Sequence, residues 1–566
     1  MAGGRFILVA TGDAQDKYFH NNPEITYFKT VFHRYTRFSV ETKTQEFDNT
    51  SLNVETVLKQ KLKIQRNGDL LKSMYLTFDL PDIYSGKYTT SNFYFKWIRN
   101  IGHYIIKDVR FSIGTLPIQT LCGEWLDIWK ELHLPEEEKK GYDNMTGNTP
   151  DMHSPEKADG NNGFLTVSIN NTDYFVNTEE YPNAKTRTST ATAWEDISPI
   201  NNLTSGEVGD NTYPSIRGRT IKVPLDFWFQ KYAAYALPLI ALQKQDCYIE
   251  LTLRPLKDLY TSVNPITVTT PSTINKRIKY STAFLNNGIQ YFVGENRTES
   301  IINIEGTGSS KTLLNSKFPI NLKLETNYIF LENEERRRFA EETHEYLVET
   351  IKKVSATSIS SSTKNIETYS NHHVKEIIFV PKRSDAANVN EWDNFTNWIQ
   401  KDIDPRGIQF WKSVKSHVPY FDTTASKFPF PSRDYSVTTF TRDYIKKNII
   451  KDITIKLNNV PLFNKQDYLY YEAQQPLEYH RNNVKDGVYV YSFSLNPNVK
   501  APSGSINMAG QKINFDFTFQ SLPVNADFGA GNEQDYVADY TYDIDIYIVQ
   551  YNILKIQNGV GGLVFS

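Results

Sequence analysis

The chain has 566 residues, more than one hydrophobic core ordinarily serves, so two or more domains are expected. A net charge of −3 and a pI near 6.4 give no overall field that would draw it to nucleic acid or an anionic membrane, which sets aside direct genome binding. Its two cysteines, Cys122 and Cys247, are too few for a disulfide framework and fit a reducing compartment, each as a buried thiol. Aromatic residues supply 13% of the chain, with 35 Tyr and 33 Phe against 5 Met, and such flat side chains suit a pleated, half-buried surface, so the expected class is all-β.

In chain order, residues 1–26 read as an N-terminal arm: Gly3-Gly4, a short apolar strand from Phe6 to Thr11, then Asp13 to Asp16 and Asn21-Asn22-Pro23. The apolar run is too short for a signal h-region, and no stretch reaches transmembrane length, so a soluble, unsecreted product is expected. Strand patterns follow at Ile25 to Lys29, Phe38 to Thr42, Leu62 to Ile64 and Met74 to Leu80. The i, i+3, i+4, i+7 spacing of Trp125, Ile128, Trp129 and Leu132 predicts a helix over Glu124 to Leu132, stopped by Pro135. Residues 143–215 form a polar excursion around a strand from Phe164 to Ile169. Apolar blocks from Ile221 to Phe229 and Ala236 to Leu242 lead to the alternating strand Cys247 to Arg254, which closes a first domain of residues 27–258.

Residues 259–317 are Thr/Ser/Asn-rich and read as a connector. The second domain, 318–566, opens with a strand from Ile320 to Leu331, a charged turn from Glu332 to Arg338 and a strand from Glu345 to Glu349. A polar excursion at 384–445 follows, and the final strand from Ile544 to Leu554 reads as the counterpart of Cys247 to Arg254.

A duplication ties the two domains together. Ile105-Ile106-Lys107-Asp108-Val109-Arg110-Phe111-Ser112-Ile113-Gly114-Thr115-Leu116-Pro117-Ile118 aligns without a gap on Ile449-Ile450-Lys451-Asp452-Ile453-Thr454-Ile455-Lys456-Leu457-Asn458-Asn459-Val460-Pro461-Leu462. Each copy has period-2 alternation, a two-residue turn that tolerates positive φ, and an apolar-Pro-apolar step, which together describe a β-hairpin. A repeat hundreds of residues apart implies two similar domains in tandem.

Residues able to carry chemistry do not assemble into a site. His344-Glu345 begins like a zinc-protease helix, but position 348 is Val where the second ligand would stand, and the adjacent His372-His373 would face opposite ways on a strand. Gly306-Thr307-Gly308-Ser309-Ser310-Lys311-Thr312 lacks the Gly before Lys311 that a phosphate loop requires. Asp535, Asp539, Asp543 and Asp545 read as the wet side of a strand, Arg336-Arg337-Arg338 as a cluster balanced by its neighbouring Glu residues, and Glu136 to Lys140 as an exposed charged run. Asn49, Asn144, Asn202, Asn296 and Asn394 head Asn-X-Ser/Thr triplets, expected by chance in an Asn-rich chain. No catalytic, cofactor-binding or metal-ligating residue is assigned, and a non-enzyme is expected.

The ordered set of motifs resembles the major capsid proteins of nucleocytoplasmic large DNA viruses. It comprises Asn22 to Lys29, Asp127-Ile128-Trp129 with Gly141 to Met145, Val223 to Phe229 with Ala236 to Leu242, and Glu335 to Ala340 with His344 to Leu347. Tyr491 to Pro497, Pro502-Ser503-Gly504, Tyr551 to Ile556 and Gly559 to Leu563 complete it. The resemblance implies two tandem antiparallel jelly-roll β-sandwiches with long inserted loops and a few short helices. It also implies a homotrimer forming a pseudo-hexagonal capsomer in an icosahedral virion shell, made and assembled in the host cytoplasm. Partners implied are neighbouring capsomers, minor capsid and penton proteins, an internal membrane layer reached through the arm, and surface glycans. A minor capsid or scaffold paralogue, or a jelly-roll carbohydrate-binding protein, are the alternatives; the last would be a monomer with glycan affinity.

Overall fold

The computed structural model describes residues 3–9, 14–30, 32–83, 94–153, 164–169, 172–177, 216–263, 277–278, 289, 304–305, 312–313, 317–398, 447–520 and 540–565. Sixteen strands make two sandwiches. The first contains β1 (Phe38–Glu46), β2 (Leu58–Lys63), β3 (Leu70–Leu80), β4 (Ile106–Ile113), β5 (Leu116–Cys122), β6 (Arg219–Pro224), β7 (Cys247–Leu253) and β8 (Lys323–Leu331). The second contains β9 (His344–Ile359), β10 (Thr363–Tyr369), β11 (His373–Arg383), β12 (Ile450–Leu457), β13 (Val460–Pro461), β14 (Tyr489–Ser492), β15 (Lys512–Phe519) and β16 (Tyr542–Gln557).

Strand order in the first sandwich is β1-β8-β3-β6 in one sheet and β2-β7-β4-β5 in the other. The second sandwich has β9-β16-β11-β14 and β10-β15-β12-β13, which is the same order with eight added to every number. All these pairings are antiparallel, and two four-stranded sheets with this crossing order form a jelly roll. The duplication seen in one hairpin therefore extends to all eight main strands of each sandwich, while the short strands Leu237–Pro238, Gln466–Asp467, Ile506–Asn507 and Val560–Leu563 pair off these paths.

This correspondence corrects two expectations. Lys323–Leu331 does not open the second domain: it pairs with β1 from Phe38↔Leu331 to Glu46↔Lys323 and with β3, so it is the closing strand of the first sandwich. The first sandwich thus extends past the expected boundary at 258, and the stretch expected as a connector, 259–317, runs between β7 and β8 inside it. The counterpart of Cys247 to Arg254 is accordingly β15, and the final strand β16 is matched by β8. Alternation along one strand reports that one face is buried, and carries no information about which sheet completes it.

The hairpins form as expected. Gly114 has φ 60° and Asn458 and Asn459 have φ 48° and 67°, so each turn uses residues that enter the left-handed region at low cost. Val109, Phe111 and Ile113 are buried in the first core, and Ile453 and Ile455 in the second. Phe379 packs edge-on against Phe515 and Phe517, at 5.2 and 5.4 Å between centroids, in the middle of that second core.

Helices depart from the sequence expectation in the arm and in the charged turn from Glu332. The arm carries α1 (Gly3–Val9) and α2 (Ala14–His20) where an apolar strand was expected, and Ile25 to Lys29 forms exposed turns with no strand partner. The helix over Glu124 to Leu132 is present as α3 (Gly123–His133), with Trp125, Ile128 and Leu132 buried, and is followed by α4 (Glu136–Thr146). The charged turn from Glu332 is instead α5 (Asn333–Glu341), whose Glu334 and Glu335 sit in the first turn and Arg338 in the last, as the helix dipole favours. Excursion residues 178–215 and 399–446 lie outside the described residues.

Candidate functional site: the seam between the sandwiches

In the sheet β9-β16-β11-β14 the two central strands, β16 and β11, are buried on both faces. Ile377 and Phe379 of β11 enter the second core, while their neighbours Ile378 and Val380 join the core of the first sandwich. In β16, Ile546 and Ile548 face inward and Tyr547 and Val549 face the first sandwich. A strand covered on both sides loses its polar alternation, which is why β11 reads as a nearly continuous apolar run.

The cover comes from α3 and the strand before it. Trp125 lies 5.4 Å from the Tyr547 ring, and the Cys122 thiol is 3.6 Å from the Tyr547 hydroxyl. Burial pushes both the thiol and the phenol up, so neither ionises near neutral pH. Asn482, from the second sandwich, donates to the carbonyl oxygens of Glu131 and Leu132 at 3.0 and 3.3 Å, satisfying the end of α3. Trp392 donates to Asp258 O at 2.9 Å, and Asn390 to Lys257 O and Tyr260 O, so the loop after β11 is fastened to the first sandwich as well.

Charges cross the seam in pairs. Lys382 on β11 binds Glu124 of α3 and, at 2.7 Å, Asp545 of β16, which also takes Lys353 at 3.0 Å. Burial would raise the Asp545 carboxyl, but Lys382 and Lys353 outweigh it and hold it at about 2. Glu349 accepts from Lys231 of the first sandwich at 2.6 Å and from Lys375 at 2.8 Å. Against the upward push of burial these two lysines hold the Glu349 carboxyl at about 2. Glu376 lies 3.0 Å from His480 Nε2 and is also held at about 2, burial being overcome by Lys375 and His480. Asp127, wholly buried in α3, accepts from Asn100 at 2.8 Å, from the Tyr104 hydroxyl at 2.9 Å and from Lys485 of the second sandwich.

Each of these ionic groups is answered by a fixed partner, so the arrangement serves docking. Buried pairs return little net stability because desolvation offsets the Coulomb gain, but a wrong docking would leave a charge unpaired in a dry interface. The geometry thus selects one relative placement of the two sandwiches.

Two family descriptions cover nearly the whole chain: major capsid protein N-terminus over residues 26–293 and large eukaryotic DNA virus major capsid protein over residues 335–562. The chain belongs to the major capsid proteins of large eukaryotic DNA viruses. It is 26% identical to the major capsid protein of Phaeocystis pouchetii virus and 26% identical to capsid protein 1 of Acanthamoeba polyphaga mimivirus, in each case over 100% of both chains. In structure it resembles PBCV-1 VP54, with TM-score 0.57 and 20% identity over 96% of this chain and 100% of that one. Faustovirus major capsid protein gives TM-score 0.55 and 11% identity over 97% and 95%. The double jelly roll is therefore shared, and the capsid protein has a structural role as a component of a viral shell.

The residues singled out in the sequence sit in this capsid protein as follows. His344 Nε2 lies 2.8 Å from Phe339 O with its ring stacked on Phe339, and His373 Nδ1 lies 3.3 Å from Ser505 Oγ. Asp543 and Asp545 do share a face of β16, where Asp543 accepts from Ser358 N at 2.8 Å. Asp535, Asp539 and Gly306 to Lys311 lie outside the described residues. Arg336 pairs with Asp69 at 2.9 Å and Arg337 with Glu341 at 3.6 Å, while Glu136 pairs with Lys139 at 3.0 Å. Asn394 is buried and bonded to Thr396 and Trp398, so its triplet is a turn device; Asn49 and Asn144 are exposed, and Asn202 and Asn296 lie outside the described residues. Among the described residues no group of three or more His, Cys, Asp or Glu is arranged to hold a metal. The seam lysines and glutamates had one trace in the sequence: Lys375-Glu376 interrupts an apolar strand, which places a charge pair where water is excluded.

Proposed function

We propose that three copies of this capsid protein associate into a pseudo-hexagonal capsomer that tiles an icosahedral shell. The observation that carries this reading is the internal duplication: two sandwiches of identical strand order, locked side by side, become six similar units when the chain is repeated about a three-fold axis. The paired charges of the seam support a building block whose work is shape, with no catalytic step. Neighbouring capsomers, minor capsid and penton proteins are its partners in the virion, and synthesis and assembly take place in the host cytoplasm.

The arm supports a contact beneath the shell, with minor capsid proteins or an internal membrane layer, because Tyr18 and Phe19 project into solvent at 89% and 78% exposure. Light scattering on the purified chain should return three times its 65.3 kDa mass, and negative-stain images should show hexagonal particles. A stable monomer with affinity for glycans would replace this reading with that of a carbohydrate-binding protein. Removing residues 1–26 should leave trimers intact and impair shells; loss of the trimer itself would count against the role given to the arm.

A further inference from the structure

The two sandwiches have the same topology but unequal cover. The outer face of β16 and β11, with Tyr346 and Val348 of β9, is dry under α3 and Trp228 of the first sandwich, Trp228 lying 5.3 Å from Tyr346. On its equivalent in the first sandwich, the outer face of β1-β8-β3-β6, Ala236 and Phe339 of α5 cover only the end of β3 and β8 at Leu70, Ile329 and Leu331, and among the described residues β1 is left open. Of the nine residues of β1, eight are exposed, including Phe38 and Val40, and the segment leading into it exposes Tyr27, Phe28, Phe32 and Tyr35. Phe28 is 97% exposed.

The complementary surface is partly open as well. In the first sandwich the residues after β5 and β6, among them Trp125, Trp129 and Trp228, supply the cover. Phe463 and Tyr470 after β13, Tyr491 within β14 and Phe493 just after it stand half-buried in the second sandwich, joined ring to ring at 5.9 Å (Phe463–Tyr470), 5.2 Å (Phe463–Tyr491) and 5.0 Å (Tyr491–Phe493). Around this ladder Leu462, Leu469 and Leu495 are exposed, Leu495 at 77%. A chain thus carries one apolar surface at each end of the same repeated relation, and both stand open to solvent among the described residues.

We infer that the aromatic ladder and leucines of one copy's second sandwich cover the segment 27–40 and the β1 sheet face of the next copy's first sandwich, repeating between chains the seam found within the chain. This rests on the trimeric reading and adds which surfaces meet. The contact is heterologous, one surface against a different one, and closes a ring of three when each copy is turned 120° from the last. Its middle is polar, as parts of the internal seam are: Lys222 pairs with Glu325 at 2.9 Å, and Thr42 with Asn327 at 2.6 Å. The aromatic segment therefore supplies the apolar part of the contact.

Three full-length proteins test this: the unaltered chain, a patch variant L469D/L495D, and an arm variant F28D/F32D. All four substituted positions are exposed, so thermal unfolding of the separate chains should be unchanged. The unaltered chain should be a trimer and each variant a monomer by light scattering. Mixing the two variants should give a dimer, since one intact junction remains between the arm of the patch variant and the patch of the arm variant. A monomeric unaltered chain would overturn the trimeric reading and this inference with it. Variants that remain trimers, or a mixture that stays monomeric, would overturn the assigned surfaces and leave the trimer standing.

Discussion

Lys231 of the first sandwich donates to Glu349 of the second across 2.6 Å of buried seam. The other carboxylate oxygen of Glu349 takes Lys375 at 2.8 Å, so one anion serves two cations, while Lys375 also has Glu376 at 3.9 Å. Replacing Glu349 by Ala leaves both lysines facing a dry interface, a change that costs about 3–5 kcal/mol where a buried pair loses one partner. Denaturant unfolding should show a lower midpoint. A midpoint equal to that of the unaltered chain would mean that water reaches the site and the pairs are not structural.

The same carboxylates set the response to acid. Glu349 and Glu376 are held at about 2 against an ordinary 4.5, and Asp545 at about 2 against 3.8. Because the folded values are depressed, the unfolded chain takes up protons first as pH falls, and the stability these groups contribute is full above about 4.5 and is lost as pH falls through the window down to about 2. Urea midpoints measured from pH 6 to pH 3 should therefore decline steeply below pH 4.5. The Glu349→Gln variant should show a shallower decline, and an identical slope would remove Glu349 from the account.

Gly114 and Asn458 occupy the same place in the duplicated hairpins, and both have positive φ, 60° and 48°. A Cβ at Gly114 would meet nothing closer than 3.4 Å, so the cost of Gly114→Ala is backbone alone, about 1–2 kcal/mol. Gly114→Asn imports the residue used by the second copy and should cost less, since Asn enters the left-handed region more readily. Thermal unfolding of the two variants checks the ranking, and an Ala variant at least as stable as the Asn variant would contradict it.

The legible parts of this fold were those whose cause lies within about ten residues. Trp125, Ile128, Trp129 and Leu132 mark α3 by their spacing, and both hairpins are marked by alternation around a turn. What the chain does at long range was not legible in the same way. The alternation of Lys323–Leu331 serves equally to open one sandwich or close another, and only its pairing with Phe38–Glu46, hundreds of residues earlier, decides. Lys382 reads as an ordinary charge until Glu124 and Asp545 are brought to it. Periodicity reports whether a face is buried; partner identity is a property of the closed fold.

Asp226 presents the opposite electrostatic case. It sits just after β6 with φ 45°, is half-buried, and accepts from the Tyr142 hydroxyl at 3.2 Å, while His103 Nε2 lies 3.0 Å from that hydroxyl. Burial also drives the His103 imidazole down, to about 3, so no imidazolium is present to hold the carboxylate ionised. The Asp226 carboxyl is instead raised by burial from 3.8 to about 6, more than Tyr142 and Lys231 can offset. A raised folded value means that the native chain holds this proton more tightly: the stabilising contribution is full below about 3.8 and is lost as pH rises through 6. Asp226→Asn keeps an acceptor for Tyr142 and a residue type that tolerates positive φ, and removes the ionisation. The variant should exceed the unaltered chain in stability at pH 8, by on the order of 2 kcal/mol, and the difference should shrink toward pH 4. A difference that is the same at both pH values would show that Asp226 is uncharged throughout, or that water relieves its burial.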